Sequence, residues 1–75
     1  MNPQDFRVVF VGHNRFLTCK VMYRDLPVAA VGGRVGSLEN LYKHLEVSAH
    51  ACIQNILAGK NPAVVKYIEE KTAHI

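Results

Sequence analysis

The chain of 75 residues has no tryptophan, only two cysteines and no cluster of residues with the spacing of metal ligands. Disulfides and structural metals are what usually stabilise domains whose hydrophobic core is small. A chain of this length buries only about 60% of the surface that its unfolded form exposes. Because 49% of the residues are nevertheless hydrophobic, we expect some apolar surface to be buried against a partner, most simply a second copy.

The chain also lacks long apolar runs. None approaches the 18 residues of a membrane span, and the polar residues 1–5 are not typical of a signal peptide. Cys19 and Cys52 form no Cys-x-x-Cys motif, so we interpret them as reduced core residues, although a single disulfide between them stays open. We therefore expect one domain over residues 1–75 and a cytoplasmic location.

Positive charge is concentrated in the first half of the chain. Residues 1–36 contain five Lys or Arg and two Asp, whereas residues 37–75 contain four Lys and four Glu. A basic face attracts nucleic acid and other anions, although a surplus of +3 is also typical of ordinary solubilising charge. If the surplus binds anions, the candidate residues are Arg15, Lys20, Arg24 and Arg34.

Two segments at the start of the chain are typical of β-strands. Residues 6–11 are mostly β-branched or aromatic, and residues 16–23 alternate between apolar and more polar side chains, with Lys20 among the latter. The Gly-His-Asn-Arg sequence at 12–15 favours a four-residue turn, so the two segments predict a β-hairpin. Residues 28–31 are compatible with a short third strand, and the glycine-rich residues 32–36 with a loop.

From Ser37 onward the apolar residues follow a helical period. Ser37 as N-cap and Gly59 after the last turn predict a helix over residues 38–58. Asn61 and Pro62 predict the start of a second helix. We therefore predict an α+β fold in which an N-terminal β-hairpin packs against two C-terminal helices.

The apolar stripes of these helices exceed what a two-stranded hairpin can cover. The first helix is also long enough for its far end to extend beyond the hairpin. We therefore expect a homodimer whose interface lies at the ends of the two helices. The predicted interface comprises Ile53, Ile56, Leu57, Val64, Val65 and Ile68.

The glycines before the first helix raise the question of phosphate binding. Their spacing fits neither a dinucleotide-binding fingerprint nor a Walker A loop. Residues 33–36, Gly-Arg-Val-Gly, resemble the GXXG loop with which KH domains hold a nucleic-acid backbone. This resemblance implies backbone binding by Gly33, Arg34 and Gly36. A KH loop joins two helices, however, and a plain flexible connector is the alternative.

The remaining polar residues indicate no catalytic or metal site. His44 and His50 are six residues apart and do not share a helix face, and Glu69 and Glu70 are adjacent and point apart. Both cysteines lie on apolar faces, where a thiol is inert. We therefore predict no enzymatic activity, no cofactor and no metal.

Several residues also resemble a family of small proteobacterial α+β proteins of uncharacterised function. The likeness rests on residues 10–14, Phe-Val-Gly-His-Asn, on Val21 and Leu26, and on the helical Leu41, Leu45 and Ile53. It implies a hairpin packed on helices and a bacterial origin, and no functional residue.

The sequence thus predicts a small binding or protein-interaction module of bacterial type, whose expected partner is a second copy or another protein. The alternative is an RNA- or DNA-backbone-binding protein that uses the basic hairpin and the glycine loop. No small-molecule substrate is identifiable from the residues.

Overall fold

The computed structural model describes residues 1–73 and has the predicted α+β architecture, a three-stranded antiparallel sheet packed against two helices. A short 3-10 turn, Pro3–Asp5, precedes the first strand. The elements are β1 Phe6–His13, β2 Phe16–Tyr23, β3 Leu26–Arg34, α1 Leu41–Leu57 and α2 Pro62–Thr72. The strands follow one another in the order β1-β2-β3, with both neighbouring pairs antiparallel.

The third strand is much longer than the four residues that the sequence indicated. It pairs with the whole of β2, from Tyr23 opposite Leu26 to Phe16 opposite Arg34. Residues 32–34, predicted to lie in a loop, therefore belong to β3. Pro27 is tolerated because β3 is an edge strand, and a register shift follows it at the extra residue Val28.

The first hairpin is tighter than predicted. Its turn contains only Asn14 and Arg15, and β1 continues to His13. Both turn residues have positive φ, 47° and 64°, as a two-residue turn requires if it is to match the twist of the strands. Asparagine adopts this conformation more readily than arginine does, so Arg15 carries most of the backbone strain.

Helix α1 begins at Leu41, three residues later than predicted. Ser37 is not its N-cap, because the Ser37 hydroxyl donates to the Arg34 carbonyl, 2.6 Å away, in the turn that ends β3. Asn40, with φ of 58°, instead precedes the helix and makes no side-chain cap. Residues 38–40, which the helical pattern had assigned to α1, therefore lie in the connection between β3 and α1, and Asn40 has a left-handed backbone conformation.

The other helix boundaries agree with the sequence. Gly59 has φ of 74° and ends α1, with the amide of Lys60 donating to the carbonyl of Asn55 at 2.9 Å. The side chain of Asn61 accepts a hydrogen bond from the Val64 amide, and Pro62 occupies the first helical position. His74 and Ile75 lie outside the described residues.

The core lies between the helices and one face of the sheet. Ile53, Ile56 and Ile68 of the predicted dimer interface are buried in it, at 6%, 2% and 2% exposure, and Leu57, Val64 and Val65 pack against it. The third strand widens the sheet enough to cover these helix faces without a second copy. Of the predicted interface residues, Ile53, Ile56 and Ile68 are therefore core residues of the single chain, and Leu57, Val64 and Val65 are partly buried against them. Dimerisation itself stays a prediction.

Candidate nucleic-acid interface

The two faces of the sheet are distinguished by a pair of neighbouring glycines in β3. A Cβ atom on Gly33 would lie 2.7 Å from Cδ1 of Leu41, so Gly33 faces α1. A Cβ atom on Gly32 would lie 2.7 Å from Cε1 of Phe16. Because successive residues of a strand point to opposite faces, Phe16 and Gly32 lie on the face away from the helices. We call this the open face.

Strand register arranges the open face in four rows across the sheet. Each row takes one residue from each strand, in the order β1, β2, β3. The rows are His13–Phe16–Arg34, Val11–Thr18–Gly32, Val9–Lys20–Ala30 and Arg7–Met22–Pro27. The first row lies six residue steps along β2 from the last, which is about 20 Å at roughly 3.3 Å per step.

The charge on the open face is of one sign. Its rows contain Arg7, Lys20 and Arg34 and no acidic residue. Within residues 1–73, Lys20 and Arg34 form no ion pair. Arg7 lies 3.7 Å from a carboxylate oxygen of Asp25, whose side chain is fully exposed, so solvent screens this pair. The open face therefore presents positive charge that nearby carboxylates scarcely compensate.

Phe16 is the large aromatic side chain of the open face. It is 50% exposed, although its ring reaches over β3 into the space that a side chain at Gly32 would occupy. The other two phenylalanines are covered: Phe6 is 9% exposed, and the ring of Phe10 stacks on that of Tyr42 with centroids 3.9 Å apart. Phe16 is thus the phenylalanine that the core leaves to solvent.

His13 lies next to Phe16 at the end of β1. Its Nε2 atom is 3.2 Å from the side-chain nitrogen of Asn14, so a hydrogen bond joins the imidazole to the turn. The first row therefore carries an imidazole, a phenyl ring and a guanidinium group on three neighbouring strands, whose backbones are about 4.8 Å apart.

The structure brings together only some of the predicted anion-binding residues. Lys20 and Arg34 lie on the open face, and Arg15 lies in the turn at the same end as Arg34, where its carbonyl accepts the amide of Val35. Arg24 lies in the turn between β2 and β3, at the opposite end of the sheet, and its guanidinium is 3.6 Å from Asp5.

Local packing and backbone geometry explain why residues 33 and 36 of the predicted loop are glycines. Gly33 allows Leu41 to pack closely on β3, and Gly36 has φ of 92° in the turn after the strand. Residues 33–36 connect a strand to a helix, whereas a KH loop connects two helices. Packing and turn geometry therefore account for Gly33 and Gly36 without a bound phosphate.

Sequence reasoning missed Arg7, His13 and Phe16. The alternation of β2 placed Lys20 and Met22 on the less apolar face, and Phe16 has the same parity. Continuing that alternation to Phe16 would have shown an aromatic residue on the basic face. The contributions of β1 and β3 depended on the register, which became known only with the structure.

The helical half of the protein provides fewer features that indicate a binding or catalytic site. A surface depression of about 470 Å³ lies where α1 meets the start of α2 and is lined by Cys52 and Lys60, among others. Within residues 1–73, no three His, Cys, Asp or Glu side chains are grouped closely enough to hold a metal ion. Burial, and secondarily the negative charge of Glu46, raise the pKa of the Cys19 thiol, which disfavours the reactive thiolate.

Comparisons with known proteins supply no relative. The chain matches no protein-family model, and no curated protein or solved structure gives a significant match. In the part of the chain that the structure describes, no helix is long and apolar enough to span a membrane. The resemblances to KH loops and to small proteobacterial proteins therefore stay predictions.

Proposed function

We propose that this protein binds nucleic acid through the open face of its sheet, with Arg7, Lys20 and Arg34 contacting backbone phosphates. The observation that carries the proposal is a sheet face that the helices leave uncovered and that bears three basic residues and no acidic one. Proteins commonly use Lys and Arg to position a phosphate backbone, and exposed strands serve as nucleic-acid-binding surfaces.

Charge complementarity favours an anionic partner over a second copy on this face. Two open faces packed against each other would bring six like charges together, which opposes association. An acidic polymer would neutralise the same charges and release its counterions, which favours binding. The helical half, with four Lys and four Glu between residues 37 and 75, has no such surplus.

The proposal predicts weak, strongly salt-dependent binding. Three phosphate contacts correspond to a slope of roughly −2 in a plot of log affinity against log salt for a single strand. Fluorescence anisotropy of a labelled 12-nucleotide oligonucleotide, at several salt concentrations, measures this slope. Replacing Arg7, Lys20 and Arg34 together by Gln should weaken binding strongly, and any binding that remains at low salt should show a flatter slope.

A matched variant tests whether position or mere charge matters. Lys43, Lys60 and Lys66 are exposed residues of the helical half, and replacing all three by Gln removes the same charge. This variant should retain most of the affinity. Equal losses in the two triple variants, with both folded by circular dichroism, would contradict the proposed interface.

The edge of β1 favours a second candidate, homodimerisation by strand addition. Unlike β3, this edge carries no proline or bulge, and its middle residues Val9, Phe10 and Val11 have high β-propensity. Pairing there would leave both open faces exposed. Sedimentation equilibrium at high micromolar protein should then give twice the chain mass; the mass of one chain throughout would reject this candidate.

A further inference from the structure

The first row of the open face combines three planar groups that stack on nucleobases. His13, Phe16 and Arg34 lie in register on the three strands, and the side chains of all three are exposed. Aromatic rings and guanidinium groups both stack on bases, and the phenyl ring presents the largest apolar surface of the three. No other row of the open face contains an aromatic ring.

Gly32 determines how Phe16 lies on the sheet. The Cε1 and Cζ atoms of the ring would be 2.7 and 3.0 Å from a Cβ atom at position 32, so any other residue there would displace the ring. The ring therefore rests toward β3 and remains half exposed. A planar ligand on its exposed surface would bury apolar area that the fold itself leaves in water.

We infer that Phe16, between His13 and Arg34, is a stacking site for an unpaired base and that the ligand class is single-stranded nucleic acid. This inference rests on the proposed function, because it assigns a ligand class to the same face. In a duplex each base is covered by its neighbours, so only a single strand, a loop or an end offers a free base surface. Arg34 is adjacent to the stacked base, and Lys20 lies about 13 Å along β2 from the Phe16 row, where the strand's phosphates continue.

The test compares two ligands and two variants of the whole chain. The ligands are labelled dT12 and a 12-residue abasic oligonucleotide, which has the same phosphates and no bases. The wild-type protein should bind dT12 about tenfold more tightly than the abasic oligonucleotide, which is a typical effect of one stacked base. Phe16→Leu, which keeps an apolar side chain, should remove this preference and leave affinity for the abasic strand unchanged.

Tyr67→Leu is the matched aromatic control. Tyr67 is 38% exposed on α2 and does not belong to the open face, so its replacement should leave the preference for dT12 intact. Circular dichroism of each variant checks that the fold is retained, which we expect because both side chains are partly in solvent.

A second readout uses the absence of tryptophan from the chain. Phe16→Trp introduces a single indole, whose fluorescence should be quenched by dT12 and by rU12 and much less by a 12-base-pair duplex. Equal quenching by duplex and single strands would overturn the inference.

The outcomes separate this inference from the proposed function. If Phe16→Leu keeps the preference for dT12 while the triple Gln variant on the open face loses binding, the phosphate-binding function stands and the stacking site is rejected. If wild-type protein binds none of the oligonucleotides at low salt, both are rejected.

Discussion

The two faces of the same sheet differ in burial, because one packs against the helices and the other is exposed to solvent. On the covered face, Cys19 and Val21 are fully buried beneath the helices, and Tyr23 packs edge-on against Phe6. On the open face, the adjacent Lys20 is exposed and Phe16 is half exposed. Because residues alternate between faces, β2 contributes to a core and to a solvent surface within eight residues.

This difference separates stability from the proposed nucleic-acid binding within one element. Changes on the covered face should alter the free energy of unfolding, whereas changes on the open face should alter ligand binding with little effect on folding. A sheet with one face packed and one solvated is ordinary for antiparallel strands. What distinguishes this one is that its solvated face is basic and carries an aromatic ring.

The largest expected effect comes from placing a charge on the covered face. Val21→Asp puts a carboxylate where no solvent or cation reaches it, and we expect a loss of about 4 kcal/mol or more in the free energy of unfolding. A domain of this size would then be largely unfolded. Lys20→Asp, one residue away on the open face, should cost no more than about 1 kcal/mol. Urea unfolding followed by circular dichroism measures both; similar losses would mean that the two faces are not as distinct as described.

A smaller effect should distinguish the paired glycines of β3. Gly33→Ala forces Leu41, which is 9% exposed, to move within the core, and we expect a cost of about 1–3 kcal/mol. Gly32→Ala displaces the half-exposed ring of Phe16 and places a Cβ atom 3.3 Å from the carbonyl oxygen of Leu17. It should cost less than about 1 kcal/mol, while weakening binding of single strands. Thermal unfolding compares the two variants, and a greater destabilisation by the alanine at 32 would reverse the assignment of faces.

The turn of the first hairpin allows stability and binding to change in opposite directions. Arg15→Gly relieves a positive φ and should stabilise the fold by about 0.5–1 kcal/mol. The same change removes a positive charge beside Arg34 and should lower oligonucleotide affinity slightly. Arg15→Ala removes the charge but keeps the Cβ atom, so its unfolding midpoint should not rise. Matching midpoints for glycine and alanine would argue against strain at this residue.

The smallest expected effect concerns the thiol reactivity of the two cysteines, which tests the burial of Cys19 without any substitution. Burial raises the pKa of the Cys19 thiol, so its thiolate forms only at higher pH than that of an exposed thiol. A thiol reagent at pH 8 should therefore label the partly exposed Cys52 first and Cys19 only in denaturant. Any labelling of Cys19 in the native protein should become faster as the pH rises through its elevated pKa, because more of the reactive thiolate then forms. Rapid labelling of Cys19 in the native protein would contradict its burial.

Local signals predicted much of the fold. The alternation of residues 16–23 gave β2 with its observed bounds, and Gly59, Asn61 and Pro62 marked the junction of the two helices correctly. These features depend on neighbours in sequence: side-chain parity, backbone freedom at glycine and capping by asparagine. The predicted start of α1 was wrong because the Ser37 hydroxyl donates a hydrogen bond back to the Arg34 carbonyl and does not cap the helix.

The candidate site was less accessible to sequence reasoning. Lys20 and Arg34 were identified by their charge, and Arg34 also by the GXXG resemblance of residues 33–36. Arg24 was included although it lies in the turn between β2 and β3 rather than on the open face, with its guanidinium 3.6 Å from Asp5. Phe16 went unnoticed because an aromatic residue at the start of a strand is usually counted toward the core. Which side chains share a row depended on strand pairing between residues up to 18 positions apart. Through Phe16, this pairing brings His13 and Arg34, which are 21 positions apart, into the first row.

By itself, the sequence determined the first hairpin, the two helices, the alternation of side chains along β2 and the surplus of positive charge in the first half. The tertiary structure decided that residues 26–34 form a full third strand, which covers the helix faces once assigned to a dimer and turns Ile53, Ile56 and Ile68 into core. The physical reason is that a strand rich in glycine and alanine has little intrinsic preference, so β3 forms because β2 offers it a full row of hydrogen-bonding partners. That pairing also creates the open face, since only a completed sheet places His13, Phe16 and Arg34 side by side.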